Sequence, residues 1–266
     1  MDVLQMKKPL LDVIFASEKR KNTLLLLQDG TKKMEFLLKS LDTTRQALLP
    51  QIKVLEEHHL VSHYKDTYEL TTIGKLIVDE MAPFVRKLEV FDNGIDYWGT
   101  RNLDFIPPYL LKKMDELENC EIINPPITDL YSFHMSFNPD YKISSSVYII
   151  TTIFYPNFYA ILTEMLKNNL TIDYIVSQEL LDKVKTEYYE EFATFIKNKS
   201  FHLYLYNKEM NFSFIVFDNV HLLMSMLKIN GEFDHKFMLC QGKSSFEWVK
   251  GLFEYYLEDS TPITQI

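Results

Sequence analysis

The sequence predicts a mixed α+β fold in two parts, and three observations predict it. The first 75 residues give three short helices, a hairpin and the start of a long helix. Beyond Pro125-Pro126, β-branched and aromatic runs alternate with amphipathic ones. Glycine is scarce, at 7 of 266 residues, and neither Gly-x-Gly-x-x-Gly nor Gly-x-x-x-x-Gly-Lys occurs. That argues against a glycine-rich phosphate loop.

Taken in order, residues 9–28 read as a helix stopped at Gly30, a natural left-handed cap. Thr31 is placed to cap a helix over 32–40, with Phe36, Leu37 and Leu41 on its apolar face. Asp42-Thr43-Thr44 is a second capping signal and opens a helix that runs to about His58. Runs at 60–64 and 68–71, joined by the polar Lys65-Asp66-Thr67, make a hairpin. Thr72 then opens a long helix with Ile73, Leu76, Ile77, Met81, Val85, Leu88 and Phe91 at helical spacing. Helix, helix, helix, hairpin, helix is the order of a winged helix-turn-helix. Pro107-Pro108 marks a linker, followed by a short helical piece around 109–117. Further on, strands are expected at 129–137, 146–154, 170–176, 201–206, 211–217, 220–228 and 235–240. Helices are expected at 157–169, 178–197 and 244–257. The expected fold is therefore an N-terminal winged helix-turn-helix over 1–75, a long helix and linker over 76–124 suited to dimerisation, and a C-terminal α/β sandwich over 125–266.

Charge is unevenly distributed. The net charge is −9, yet residues 1–71 hold 11 Lys+Arg against 10 Asp+Glu, while residues 101–266 hold 14 against 22. An acidic body repels DNA except where a small, oriented head docks. The N-terminus lacks a secretory pattern, and no stretch of about 18 apolar residues runs without charge, so a cytoplasmic chain without a membrane span is expected. The two cysteines, Cys120 and Cys240, form no Cys-x-x-Cys pair. They leave a disulfide open, with a reduced chain the simpler reading.

The chemistry concentrates in residues 42–61. On a helical wheel Ala47, Leu48, Ile52 and Leu55 share a face that suits packing. Thr43, Thr44, Arg45, Gln46, Leu49 and Lys53 lie largely elsewhere, where a recognition helix would face a DNA groove. Arg binds guanine bidentately and Gln does the same with adenine. The hairpin adds His63, Tyr64 and Lys65 as candidate phosphate or minor-groove contacts, although polar residues also simply solvate turns.

The run Leu55-Glu56-Glu57-His58-His59-Leu60-Val61, followed by Tyr68-Glu69-Leu70-Thr71-Thr72-Ile73-Gly74, is similar to the Leu-Glu-x-x-Gly-Leu-Val … Leu-Thr-x-x-Gly pattern of archaeal and bacterial winged-helix regulators of the ArsR and MarR type. His59 departs from the pattern's glycine. Pro50 sits inside the recognition helix, where it removes one backbone bond and is expected to kink the axis. Two further stretches, Thr43-Thr44-Arg45-Gln46-Ala47-Leu48-Leu49-Pro50-Gln51-Ile52 and the closing Asn230-Gly231-Glu232-Phe233-Asp234 with Phe246 to Tyr256, carry a second resemblance. The chain resembles winged-helix regulators of methanogenic archaea with a C-terminal FilR-type methanogenesis-regulator domain. The resemblance implies a homodimeric transcription regulator with a sensing or assembly domain. The C-terminal half is also similar, faintly, to the phospholipase D-like domains of sugar-responsive TrmB regulators.

Catalysis is not expected. The full His-x-Lys-x-x-x-x-Asp motif of phospholipase D chemistry is missing, as are Gly-x-Ser-x-Gly and His-Glu-x-x-His. Asp218 and Asp234 near strand ends suggest an acidic site, against which stands ordinary turn chemistry. His58, His59 and His63 suggest a metal, but neighbours on a helix do not face one ion, so no metal and no cofactor are expected. Tyr131, Phe133, Phe154, Tyr155, Phe158 and Tyr159 would suit a small-molecule effector pocket or, more simply, a core. The expected partners are double-stranded DNA at a palindromic operator, a second copy of the chain and a small metabolite. The rival readings are a protein-interaction adaptor and a sensor whose C-terminal domain turns over a metabolite.

Overall fold

The computed structural model describes residues 8–129, 144–154 and 157–266. The chain divides into two compact units, Met1–Arg86 and Lys87–Ile266.

The first unit begins with two helices where one was expected. α1 (Leu10–Phe15) stops at Ala16, and α2 (Glu18–Leu26) starts afresh because the Ser17 side chain accepts a bond from the Arg20 amide. Gly30 follows in the left-handed region. The helix expected over 32–40 is shortened at its start. Lys32–Lys33 form a strand, β1, and α3 spans Met34–Ser40. Thr31 does not cap it; its hydroxyl bonds Glu69 instead. α4 (Arg45–Glu57) leads to the hairpin β2 (Val61–Tyr64) and β3 (Thr67–Leu70). β1 pairs with β3, giving a three-stranded sheet in the order β1-β3-β2. α5 (Thr72–Asp92) closes the unit and continues into the next. The core gathers Val13, Ile14, Leu24, Leu37, Leu48, Ile52, Leu55 and Val78, all 3% exposed or less. Each such side chain, fully buried, contributes about 1.5–3 kcal/mol.

The register between helix end and wing explains the Leu-Thr-x-x-Gly pattern. The Leu60 carbonyl accepts the Thr71 amide at 3.0 Å, and the Thr71 hydroxyl bonds the His59 carbonyl at 2.6 Å and receives the Gly74 amide at 3.0 Å. A Cβ on Gly74 would lie 2.0 Å from the Leu60 carbonyl oxygen, so no side chain fits where α5 begins.

The second unit is built on an eight-stranded sheet in the order β11-β7-β6-β5-β8-β9-β10-β4. Its strands are β4 (Glu121–Ile123), β5 (Ser146–Thr151), β6 (Thr171–Val176), β7 (Phe201–Tyr206), β8 (Phe212–Phe217), β9 (His221–Met226), β10 (Phe237–Gln241) and β11 (Ser260–Ile263). β5, β6 and β7 are parallel; the other pairings are antiparallel. The helices are α6 (Ile95–Trp98), α7 (Pro108–Leu111), α8 (Phe158–Lys167), α9 (Gln178–Glu187), α10 (Tyr189–Ile196) and α11 (Lys243–Glu258). The single helix expected over 178–197 is two, broken at Tyr188. The strand expected over 129–137 lies outside the described residues, apart from Asp129 in a 3-10 turn.

Alternation along the strands makes two cores. Val147 and Ile149 face a layer of α8, α9 and α10, while Ile150 and Tyr148 face α7 and α11. The segment expected to be a linker, 76–124, is thus divided. Residues from Val90 to Leu117 belong to the second core, where Trp248 donates to the Leu110 carbonyl and Tyr256 to that of Phe105. Arg101 is buried there at 4% exposure. It pairs with Asp234 at 2.7 Å and lies 4.0 Å from the centre of the Tyr97 ring. The cysteines are joined as Cys120–Cys240, the alternative that the sequence leaves open beside the simpler reduced pair. The cause is register: β4 and β10 pair Glu121 with Leu239, which places the cysteines opposite each other.

Candidate nucleic-acid interface

α4 starts at Arg45 because the Thr44 side chain accepts from the Ala47 amide at 3.4 Å. Leu48, Ile52 and Leu55 are fully buried and fix the roll of the helix. That roll leaves Thr44, Arg45, Gln46 and Lys53 exposed and Thr43 half-buried. Leu49, expected in the groove-facing set, is half-buried and packs against the core, so it belongs to the docking side. The helix runs on through Pro50, whose ring is exposed. It ends in a left-handed residue, His59, with φ of 57°. The His59 amide bonds the Glu56 carbonyl and the Leu60 amide that of Leu55. This is the position where the related pattern has glycine, the residue that adopts such a φ without strain.

The wing stands beside α4 in the same unit. Its turn is Lys65-Asp66, with Lys65 left-handed at φ 56°. Tyr64 is 74% exposed, and the Lys65 ammonium lies 5.3 Å from its ring centre. His63 is half exposed and is held by neighbours on its inner side. It stacks on Tyr68 at 5.6 Å and bonds Glu56 of α4. Arg45 pairs with Asp66 at 2.8 Å, and the Asp66 carbonyl accepts the Met34 amide at 3.0 Å. The Tyr68 hydroxyl is pushed up, first by burial, with the charges of Asp66 and Glu56 adding and that of Arg45 opposing. Sequence reasoning missed Asp66 and Glu56. Nothing in a turn aspartate 21 residues away announces that it will meet an arginine.

On the same unit, α1 and α5 line an apolar groove of about 380 Å³ that includes Leu10, Leu11, Phe15, Met81 and Phe84. The long stripe of α5 is divided: Met81 and Val85 enter the core, whereas Ile73, Leu76 and Phe84 are at least half exposed.

In the second unit, a cavity of about 810 Å³ opens at the carboxyl ends of β5, β6 and β7. Ser177, Asn207, Lys208 and Asn211 line it with Tyr206 and Phe212. Of the aromatics singled out in sequence, Phe154 and Phe158 stack at 4.4 Å beside Tyr188 and Phe192, in the core layer. Tyr159 is 45% exposed and rests on Phe195. Tyr131, Phe133 and Tyr155 lie outside the described residues. Asp218 and Asp234 do not form one acidic site. Asp218 takes the amides of Val220 and His221, and Asp234 takes Arg101. Among the described residues no group of three or more His, Cys, Asp or Glu is placed to hold a metal; His58 bonds the Val54 carbonyl. Nor is any helix among them long and apolar enough to cross a membrane.

Residues 9–89 match the family model described as methanogenesis regulatory protein FilR1, N-terminal domain, and residues 130–259 match its middle domain. The chain is 23% identical over 262 residues to methanogenesis regulatory protein FilR1 of Methanothrix harundinacea (strain 6Ac). The match takes in 95% of this chain and 58% of the relative, so the chain spans less than two thirds of the relative's length. Among solved structures it is similar to TrmBL2, an archaeal chromatin protein (TM-score 0.42, 10% identity, 93% of this chain and 94% of the other). It is also similar to a phosphatidylserine synthase of Haemophilus influenzae Rd KW20 (TM-score 0.37, 13% identity, 52% of this chain and 36% of the other).

Proposed function

We propose that this chain, two parts of which match FilR1 domain models over residues 9–89 and 130–259, is a FilR1-like DNA-binding transcription regulator. The observation that carries the reading is the division of α4. Its buried face holds the helix against the first unit, while Thr44, Arg45, Gln46 and Lys53 stay exposed beside an exposed Tyr64 and Lys65. Side chains that are polar, forked and close to a helix N-terminus suit base edges and phosphates. In this reading α4 enters the major groove and the wing lies next to it.

Two finer features belong to the same proposal. The apolar groove and the exposed Ile73, Leu76 and Phe84 support a homodimer through α1 and α5, which would present two heads to a palindromic operator. The cavity at the carboxyl ends of the parallel strands supports an effector site in the second unit, because ligands favour that end of an α/β sheet. The protein would act in the cytoplasm.

The test is selection from a random duplex pool at two salt concentrations, with wild type and Arg45→Ala side by side. The expected result is an enriched palindrome with half-sites about one helical turn apart, lost in the variant. Binding without sequence preference, or none near 0.15 M salt, would refute the regulator reading and favour a protein-binding winged helix.

A further inference from the structure

The exposed face of the first unit carries one contact that works against simple DNA affinity. Arg45 is the first residue of α4, and its Nη2 lies 2.8 Å from Oδ1 of Asp66 at the wing tip. Both side chains are more than half exposed, at 57% and 53%. Asp66 is not a loose partner. Its carbonyl holds the Met34 amide at the junction of β1 and α3, and the turn before it is fixed by the Thr67 hydroxyl on the Tyr64 carbonyl. These bonds fix the Asp66 backbone to the wing and to the β1–α3 junction, and its carboxylate sits beside the guanidinium of α4.

We propose that Asp66 is a specificity-determining residue that turns Arg45 from a phosphate contact into a base reader, a proposal that rests on the DNA-binding reading above. The pair is electrically neutral. Nonspecific affinity comes from cations that neutralise phosphates and release counterions. A guanidinium already neutralised by Asp66 releases almost none unless it abandons its partner. Base recognition is different, since it is made of hydrogen bonds in a fixed fork. Arginine has five donor hydrogens, and one bond to Asp66 leaves a fork free and orients it. The carboxylate thus subtracts from binding to any sequence while leaving the bond to the right base in place. An exposed pair of this kind contributes little to folding, so its removal is a clean perturbation.

Four proteins test this: wild type, Asp66→Asn, Arg45→Ala and the double variant. Each is titrated against the duplex that wild type enriches from a random pool and against mixed-sequence duplex, over a range of salt. Asp66→Asn is expected to bind mixed-sequence duplex about threefold to tenfold more tightly near 0.1 M salt and to steepen the logarithmic salt slope by about one phosphate's worth. The ratio between the two duplexes is expected to fall by a similar factor. In the Arg45→Ala background the same substitution is expected to leave the ratio unchanged. Three results overturn the proposal. An Asp66→Asn ratio and slope equal to wild type would do so, with the DNA-binding reading intact. An equal gain in the Arg45→Ala background would show a general charge effect instead. Failure of wild type to bind either duplex at any salt would refute both readings together.

Discussion

Removing Arg101 should expose how the second unit is held together. Its side chain is 1% exposed and packs on the Tyr97 ring of its own segment, and it joins the 90–117 segment to the sheet through Asp234 at 2.7 Å and the Met226 carbonyl. Breaking a buried pair by removing one partner costs about 3–5 kcal/mol. Asp234 is 19% exposed and regains some water, which places Arg101→Ala near the lower figure, about 3 kcal/mol, or about 6–12 °C in melting temperature for a unit of this size. Both tryptophans, Trp98 and Trp248, are buried in this unit, so intrinsic fluorescence reports its unfolding and is blind to the first unit. The pH dependence supplies a second check. Burial acts to raise the Asp234 carboxyl, but the hydrogen bond and charge of Arg101 outweigh it and hold it below the usual range. A depressed carboxyl gives stability present above about pH 3.9, the ordinary aspartate value, and lost as pH falls further. Without Arg101 burial dominates, the carboxyl rises, and acid stabilises the variant. The gap between the two proteins should therefore narrow as pH falls from 7 towards 4. Asp234→Asn in the Arg101→Ala background should recover part of the loss. A loss under about 1 kcal/mol, or a gap that does not depend on pH, would refute the account of a buried pair.

Further outcomes follow from other contacts. His59→Gly relieves a left-handed residue and should stabilise the first unit by about 1 kcal/mol, seen as a higher midpoint of the helical circular dichroism signal. Reducing Cys120–Cys240, whose partners are 120 residues apart, should cost the second unit up to about 5 kcal/mol, read by tryptophan fluorescence in denaturant with and without reductant. In alkali, burial raises Tyr97 to about 12 while its ordinary value is 10.0. The folded form then holds a proton that the unfolded form releases. Stability is full below pH 10 and should fall from 10 towards 12, with tyrosinate absorbance rising together with the fluorescence change.

Local signals in the sequence carried much of the fold. Thr44 as a cap, Gly30 as a stop, and Leu48, Ile52 and Leu55 at helical spacing follow from neighbours in the chain, and the structure has all of them. The errors came where partners are distant. Lys32 and Lys33 look helical until β3 pairs with them. β11 carries Pro262 and was missed, as was β4; each lies at an edge of the eight-stranded sheet, where pairing on one side suffices. Ser17 had the identity of a cap but sat inside a run whose apolar flanks read as one helix. In the candidate interface, the exposure of Arg45 and Lys53 was legible from the wheel. Leu49 was not, because its position borders the buried face and only packing decides which way it turns. The domain boundary was hidden for a similar reason: Phe105, Leu110 and Met114 are apolar in any reading, and what they cover comes more than 100 residues later.

The bond between Cys120 and Cys240 has a topological consequence. It closes a covalent ring that contains β4, β5, β6, β7, β8 and β9 whole. A protease that nicks the chain once anywhere inside that ring does not divide the molecule. The product would migrate as one piece on a non-reducing gel and as two after reduction, and the strands on either side of the cut would stay at high local concentration, ready to re-pair.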